Sequence, residues 1–475
     1  MKKELVKRLL RTHQVFCLVR NNSTKSVDNF LKFYSEQNCV TNKYRVLTGQ
    51  DYVRFISKKN SLREPALTRL LAALACKMDK QAISLAEGVP NEGVFPYTRL
   101  QMDTRDGRGL VIEGKDMAVA LQYTPSQGLP ALLTEIRQFQ HDLHRPPPIP
   151  RDVMVTNGSQ QGIYQCIELL VEPGDPVMKS EYSYPGINVA LKPYQPEIVN
   201  ISEDYDGLVP ESLESTLEDR LVRGLKMPKL LYVTPTGSNP AGTVIPEERR
   251  KKIYDLACRY DFLILEDDAY MFLNYDEVHP PSFLSLDTCG RVIRLDSFSK
   301  VISAGLRAAW VTAPTALLQR LELHMQAEML HSCTLSQAIL LRLLSHRPSL
   351  VSYLQNARAL YRRRRDALQG RLEAHLRPLA DWCTPRAGLF IWLRVHNVDD
   401  VYNMVFQTAF ERGLILIPGN AFQYDTSAPC QYLRLTFSKI SFEDMDIAAR
   451  HLADIIRDEQ RRTLHKEPQR LATER

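Results

Sequence analysis

The stretch Asp296-Ser-Phe-Ser-Lys-Val-Ile-Ser-Ala-Gly-Leu-Arg307 decides how this chain folds and what it can hold. A strand-like run, Arg291-Val-Ile-Arg-Leu295, delivers two serines, one lysine and then one arginine into a short loop. Lys300 follows the small polar Ser299, a placement that lets an amine sit in a closed site and form an imine with an aldehyde. Desolvation lowers a lysine pKa and makes the neutral nucleophile available near neutral pH. Ser297, Ser299 and Arg307 supply hydroxyls and a planar guanidinium, the groups that suit a phosphate. An imine-forming lysine among phosphate ligands describes a site for pyridoxal 5'-phosphate. On this segment alone, a surface lysine in a serine-rich turn competes with that reading.

Outward from this loop, helix-like and strand-like segments alternate. Val153–Thr156, Pro176–Lys179, Lys229–Thr234, Phe262–Glu266, Val292–Leu295 and Ala308–Thr312 are short apolar runs bounded by Gly, Pro, Asn and Asp, the pattern of strands buried on both faces. Helical patterns lie between several of them, such as Glu247–Tyr260 with Pro246 at its start. The alternation predicts an α/β domain with a mostly parallel sheet. Ligands of such sheets bind beyond the carboxyl ends of the strands. Asn157–Gln161, Asn239-Pro240, Asp267-Asp268 and Ser297–Lys300 each follow a predicted strand, so their side chains converge there.

A bound pyridoxal phosphate needs five things, and each has a candidate. Lys300 is the amine. Asp267, ending Phe262-Leu-Ile-Leu-Glu266, is the carboxylate for the pyridine nitrogen; its alternative is a helix-capping acid, a job Asp268 can also do. Asn239 and Tyr270 would donate hydrogen bonds to the phenolic oxygen. Ser297, Ser299 and Arg307 with Ser159 and Gln160, at the start of a helix, would form the phosphate cup. Tyr184, in Tyr182-Ser-Tyr-Pro-Gly186, is the flat face for the ring, or a core or turn tyrosine.

The flanks differ from this body. Residues 1–25 hold seven Lys/Arg and one acid, which accounts for the whole net charge of +6 and leaves the rest neutral. No overall field draws the body to nucleic acid or membrane. The basic, amphipathic residues 1–48 read as a mitochondrial transit peptide or as a tail. Nine cysteines are scattered without a CxxC pair, which argues against disulfides and a metal site and for an intracellular protein, mitochondrial or cytoplasmic. No apolar run approaches membrane-spanning length. Beyond about residue 345, a long helix with Arg358 and the run Arg362–Arg365 leads into Leu389–Leu393 and Gln431–Phe437, a smaller α+β domain. The arginine run is expected on a solvated face paired with nearby acids rather than on nucleic acid. The predicted division is an extension at 1–48, an arm and part of the small domain at 49–119, a large cofactor domain at 120–345, a small domain at 346–456 and a charged tail at 457–475.

Asn239-Pro-Ala-Gly242, Glu266-Asp-Asp-Ala-Tyr270 and Ser297-Phe-Ser-Lys300 with Arg307 resemble the signature blocks of fold-type I, aspartate aminotransferase-like enzymes. Within these the chain is similar to the kynurenine/α-aminoadipate aminotransferases, through Ser84–Pro90, Leu121–Pro125, Gly158–Gln161, Pro418–Phe422 and Tyr432-Leu-Arg434. The resemblance covers about residues 52–456. It implies that Lys300 carries the cofactor and then moves the proton, and that Arg434 grips the substrate α-carboxylate. It also implies that Arg69 and Gly88 border the substrate, and that Tyr123 reaches the phosphate of the neighbouring subunit in a homodimer with shared sites. Glu87 departs from the family's glycine beside the substrate, which puts α-aminoadipate in doubt as donor; Ala269 and Met271 stand where Pro and an aromatic residue are common.

The implied activity is a ping-pong aminotransferase passing an amino group from an amino acid (kynurenine, α-aminoadipate, aromatic or similar) to a 2-oxoacid such as 2-oxoglutarate. A lyase or decarboxylase on the same scaffold is the alternative, since fold does not settle function. A transcription regulator sensing an effector with this fold is a further one, but the first 48 residues carry no helix-turn-helix pattern.

Overall fold

The computed structural model of the protein describes residues 43–67, 85 and 88–473, with side chains given to residue 464. Arg69, Glu87 and residues 1–42 of the basic extension lie outside the described residues.

Seven strands form the main sheet: β1 (Arg151–Thr156), β2 (Pro176–Ser180), β3 (Glu197–Ile201), β4 (Leu230–Val233), β5 (Leu263–Asp267), β6 (Val292–Ser297) and β7 (Ala309–Pro314). Their order is β1-β7-β6-β5-β4-β2-β3. Five neighbours from β3 to β6 run parallel, while β7 runs antiparallel to both β6 and β1. Six of these strands are those expected from the sequence. The seventh, β3, reads Glu-Ile-Val-Asn-Ile and stands at the sheet edge, where its polar residues are exposed and interrupt the apolar run.

The alternation along each strand explains why both faces are covered. Helices α1 (Pro130–His144), α2 (Ser159–Leu170), α3 (Pro185–Leu191), α4 (Glu247–Arg259) and α5 (Thr315–Glu328) flank the sheet. Met154, Leu265, Leu295 and Val311 pack with Ile163 and Ile167 of α2 and Leu317 and Leu321 of α5. Val153, Val155 and Trp310 point the other way, onto Leu132, Ile136 and Phe139 of α1. Each fully buried aliphatic side chain contributes on the order of 1.5–3 kcal/mol, so a one-residue slip of any strand would be prohibitive.

A second sheet has the order β8-β9-β11-β10, from β8 (Ala380–Trp382), β9 (Phe390–Val395), β10 (Ile417–Pro418) and β11 (Tyr432–Thr436), all antiparallel. Helices α6 (Arg347–Leu376) and α7 (Asp444–Thr473) cover one face of it through Leu368, Leu372, Leu452 and Ile456. The arginines of α6 are not simply a solvated face paired with acids. Arg358 donates to Asn274 O and Asp276 O, Arg364 to Phe437 O at 2.7 Å, and Arg365 to Pro385 O at 2.8 Å. Arg365 also meets Asp366, the one pairing of the expected kind in the run 362–365 among the described residues. The charges rivet the helix to loop carbonyls that lack partners in regular structure.

Among the described residues no helix is long and apolar enough to cross a membrane.

Candidate functional site

The carboxyl ends of β1, β4, β5 and β6 share one edge of the main sheet. Register places Asp267 beside Leu295 and Ser297 beside Ala309, which in turn lies beside Thr156. Because β7 runs backwards, it begins where the others end, and Arg307 just before it is delivered to the same edge. The topology thus collects residues far apart in the chain.

Lys300 sits in a tight turn after β6, in which the N–H groups of Val301, Ile302 and Ser303 all point to Phe298 O. Phe298 is buried against Phe139, Phe272 and Trp310, which anchors the turn. Lys300 Nζ lies 5.8 Å from the centre of the Tyr270 ring. Burial lowers its pKa; Asp267 opposes that shift, while Arg307 and Arg434 add to it. The amine is thereby biased toward its neutral, nucleophilic form.

Asp267 is buried, and Tyr232 donates to its Oδ2 at 2.7 Å. Oδ1 has no partner among the described residues. Burial pushes this carboxyl up to about 6, against the pull of Tyr232 and Lys300 and with the help of Asp268. Asp268 does not cap the next helix. It turns to the opposite side of the strand, where Arg294 donates to it at 3.0 Å, and the short helix Met271–Leu273 has no side-chain cap.

The anion cradle is built on backbone. Gly158 has φ +85°, and a Cβ there would lie 2.0 Å from Arg307 Nη2, so only glycine admits the guanidinium. Arg307 donates to Asn157 O at 3.2 Å. Ser159 and Gln160 open α2, whose first N–H groups favour an anion, and Ser159 Oγ and Gln160 Oε1 are buried without partners among the described residues. Ser297 Oγ donates to Ser299 Oγ at 2.8 Å, which leaves the Ser299 hydroxyl hydrogen for a ligand. Tyr184, half-buried, feels the charges of Asp267, Arg307 and Arg434, and burial raises its phenol pKa. A Cβ on Gly186 would strike both Gln160 Oε1 and the Tyr184 ring, at 2.1 and 2.3 Å. Tyr270 is buried, packs edge-on to Phe390 at 6.1 Å, and has its pKa raised by burial and by Asp267.

From the second sheet, Arg434 reaches across to Asn239. Its Nη1 donates to Asn239 Oδ1 at 3.0 Å, while Nε is buried and unpartnered among the described residues. Asn239 is fixed by a loop in which Gly237, at φ +65°, backs onto Gly388 so closely that a Cβ would meet Gly388 N at 2.7 Å.

The structure therefore brings together Lys300, Asp267, Tyr270, Tyr184, Asn239, Arg434, Arg307, Ser159, Gln160, Ser297 and Ser299. Two expected residues stand apart. Tyr123 is 56% exposed and packs edge-on to His331, and Gly88 is exposed with open space around it. Arg69, like Glu87, lies outside the described residues. Sequence reading missed Tyr232, although a tyrosine inside an apolar strand signals a hydroxyl in need of a partner. It also missed Arg294, which is fully buried and bound by Glu266, Asp268 and Asp296 beneath the site.

This donor set fits pyridoxal 5'-phosphate. An open carboxylate oxygen, orphaned hydroxyl and amide oxygens, and an arginine admitted by a glycine lie around one desolvated lysine.

Comparison with known proteins agrees. Residues 82–452 match the family described as aminotransferase class I and II. The chain is 38% identical over 422 residues to the mitochondrial kynurenine/alpha-aminoadipate aminotransferase of Mus musculus, covering 86% of this chain and 99% of that protein. Among solved structures, the aminotransferase Aro8 from Candida albicans has a TM-score of 0.78 at 25% identity, covering 88% of this chain and 100% of that one. The kynurenine aminotransferase of Pyrococcus horikoshii, in complex with PMP, KYN and KYA, has a TM-score of 0.69 at 29% identity, covering 86% and 98%.

Proposed function

The chain belongs to the class I and II aminotransferases, and from that membership we propose that it moves the amino group of an aromatic or kynurenine-type amino acid to a 2-oxoacid such as 2-oxoglutarate. It is a pyridoxal-phosphate-dependent transaminase whose substrates are amino acids and 2-oxoacids. The lyase and sensor alternatives are not favoured.

The observation that carries the donor proposal is the Asn239–Arg434 pair standing among Tyr184, Tyr270, Phe390 and Phe422, a carboxylate grip inside an aromatic wall. Arg434 and Asn239 would hold the α-carboxylate and so aim the Cα–H bond at Lys300. Lys300, whose burial favours the neutral amine, would take that proton and hold it at Nζ. Asp267 would hold the ring nitrogen, Asn239 and Tyr270 the phenolic oxygen, Tyr184 the ring face, and Ser159, Gln160, Ser297, Ser299 and Arg307 the phosphate. When bound, the cofactor supplies an electrophilic carbonyl carbon and a pyridinium ring that delocalises the electrons of the Cα–H bond.

α-Aminoadipate, in the name of the mouse relative, is the second candidate donor. A carboxylate at Glu87 would repel its distal acid. The family resemblance would put Arg69 and Gly88 beside the substrate side chain, with Gly88 exposed in the single chain as Tyr123 is. Tyr123, exposed in the single chain, suits a homodimer in which it serves the neighbouring site. The chain would divide into an extension at 1–48, an arm and part of the small domain at 49–119, a large cofactor domain at 120–345, a small domain at 346–456 and a charged tail at 457–475. The mouse relative is named as mitochondrial, and the basic residues 1–48 support the same compartment.

The test is a half-reaction screen. Cofactor-loaded protein is mixed with single amino acids while the absorbance of the lysine-bound cofactor is followed. Aromatic and kynurenine donors are expected to abolish that band with one equivalent of oxoacid, and Lys300→Ala to give none. A response confined to α-aminoadipate or to aliphatic donors would overturn the proposed donor class.

A further inference from the structure

An arginine that must seize a ligand carboxylate is better oriented by groups other than an acid, because an acid neutralises the charge that draws the ligand and competes for the same donors. Among the described residues Arg434 makes no ion pair, and its side chain has one hydrogen bond, to Asn239. What orients it is aromatic. Its guanidinium carbon lies 4.1 Å from the Phe390 ring centre and 5.0 Å from that of Phe422, contacts that hold the plane and leave the N–H donors free.

Phe422 is itself held from two directions. Its fully buried ring meets Trp392 edge-on at 5.5 Å and 81°. Trp392 faces Arg434 across the β9–β11 register and stacks flat on Tyr432, at 4.9 Å and 3°. Tyr182, which belongs to the loop after β2 of the main sheet, leans on Trp392 at 5.2 Å and on Tyr432 at 5.4 Å. The Phe422 carbonyl accepts from Ser183 N at 3.0 Å and from Asn188 Nδ2 at 3.1 Å. Three consecutive residues thus do connected work. Tyr182 braces the aromatic stack, Ser183 holds Phe422, and Tyr184 faces the charges of the cofactor site.

We propose that Tyr182, Trp392, Tyr432 and Phe422 form a positioning platform that orients Arg434 for the substrate carboxylate. The inference rests on the reading of Arg434 as the carboxylate grip. None of the four is a catalytic residue; each acts through Arg434. The platform serves donor and acceptor alike, because both present an α-carboxylate.

The experiment compares Tyr182→Leu, Phe422→Leu, Tyr182→Phe and Arg434→Gln in the cofactor-loaded enzyme. Steady-state constants are read for donor and acceptor, with calorimetric binding of 3-phenylpropionate, a carboxylate without an amine, and the dissociation constant of the cofactor. Tyr182→Leu and Phe422→Leu are expected to raise both KM values and the 3-phenylpropionate dissociation constant roughly tenfold and to lower kcat by a smaller factor, with cofactor affinity within about twofold. Tyr182→Phe, which keeps the ring, restores the native values. If Arg434→Gln weakens carboxylate binding while Tyr182→Leu and Phe422→Leu leave it unchanged, the platform is refuted and the site reading stands. Loss of cofactor affinity in step with KM in both platform variants refutes it as well, since that is the mark of general unfolding. If Arg434→Gln itself leaves carboxylate binding unchanged, the site reading fails first.

Discussion

Tyr232 donates a 2.7 Å hydrogen bond to one oxygen of Asp267, while the other oxygen is buried without a partner among the described residues. The bond stabilises the ionised carboxylate, the form that can hold a protonated ring nitrogen. Without it, burial and the neighbouring Asp268 would push the carboxyl above its present value of about 6. Cofactor affinity should therefore fall as pH drops through about 6 in the native protein. In Tyr232→Phe the same fall should begin at higher pH. Titration of the cofactor dissociation constant between pH 5 and 8 checks this, and superimposable profiles would count against the assigned role of Asp267.

The same residue makes a second, opposite prediction for the apoprotein. Asp267 has a folded pKa of about 6 against 3.8 as a free side chain. Between those values the native state binds more protons than the unfolded state, so stability falls as pH rises and levels off above 6. At neutral pH the penalty is about 3 kcal/mol, from about 1.4 kcal/mol per pKa unit. Apo Asp267→Asn should be more stable than the native apoprotein at pH 7, though it binds cofactor poorly. Urea denaturation at pH 4.5 and 7 measures the difference, which should shrink at the lower pH.

Arg294 carries the heaviest structural burden near the site. It is fully buried and binds Asp296 at 2.7 Å, Glu266 at 2.9 Å and Asp268 at 3.0 Å, while Gln140 also donates to Asp296. Removing it in Arg294→Met strands three buried carboxylates, a loss of about 3–5 kcal/mol by comparison with other broken buried pairs. Burial already raises the pKa of Glu266 and Asp296, so acid should neutralise them first in the variant. The stability gap to the native protein should then narrow as pH falls toward 5. A gap independent of pH would mean that lost packing, not stranded charge, is the cause.

How much of this was legible beforehand depends on what each residue type reveals locally. Asp267, Lys300 and Asn239 end or follow apolar strands, and a polar group in that place has few uses other than binding. Arg294 lies inside such a strand, where nothing in Val-Ile-Arg-Leu tells a buried charge from one facing solvent. Two of its partners, Glu266 and Asp268, come from the end of the neighbouring strand, so only the register reveals them, while Asp296 stands two residues on in its own strand. The strand Glu197–Ile201 escaped because its position at the sheet edge leaves Glu197 and Asn200 exposed, and these polar residues break the apolar run. The arginines of α6 were read as solvated because hydrogen bonding to carbonyls leaves no mark in the sequence. The aromatic platform was equally hidden, since Tyr182 and Trp392 are joined only when the two sheets meet.

Gly158 tests the cradle by crowding it. A methyl group there would lie 2.0 Å from Arg307 Nη2 and would also force an L side chain to φ +85°. Gly158→Ala should therefore lower the affinity for the cofactor, and for inorganic phosphate as its anionic fragment, by roughly tenfold or more, with a stability loss of about 1 kcal/mol from the backbone alone. Two causes are mixed in that number, and Arg307 separates them. If the methyl acts by displacing the guanidinium, Arg307→Ala should already have lost the anion contact, and adding Gly158→Ala to it should weaken phosphate binding little further. If backbone strain at the start of α2 is the cause, the two losses should add. Phosphate and cofactor titrations of the four apoproteins in the cycle decide between them. Near-complete non-additivity is the expected outcome, because the clash with Arg307 is closer than any contact a methyl makes in a folded protein.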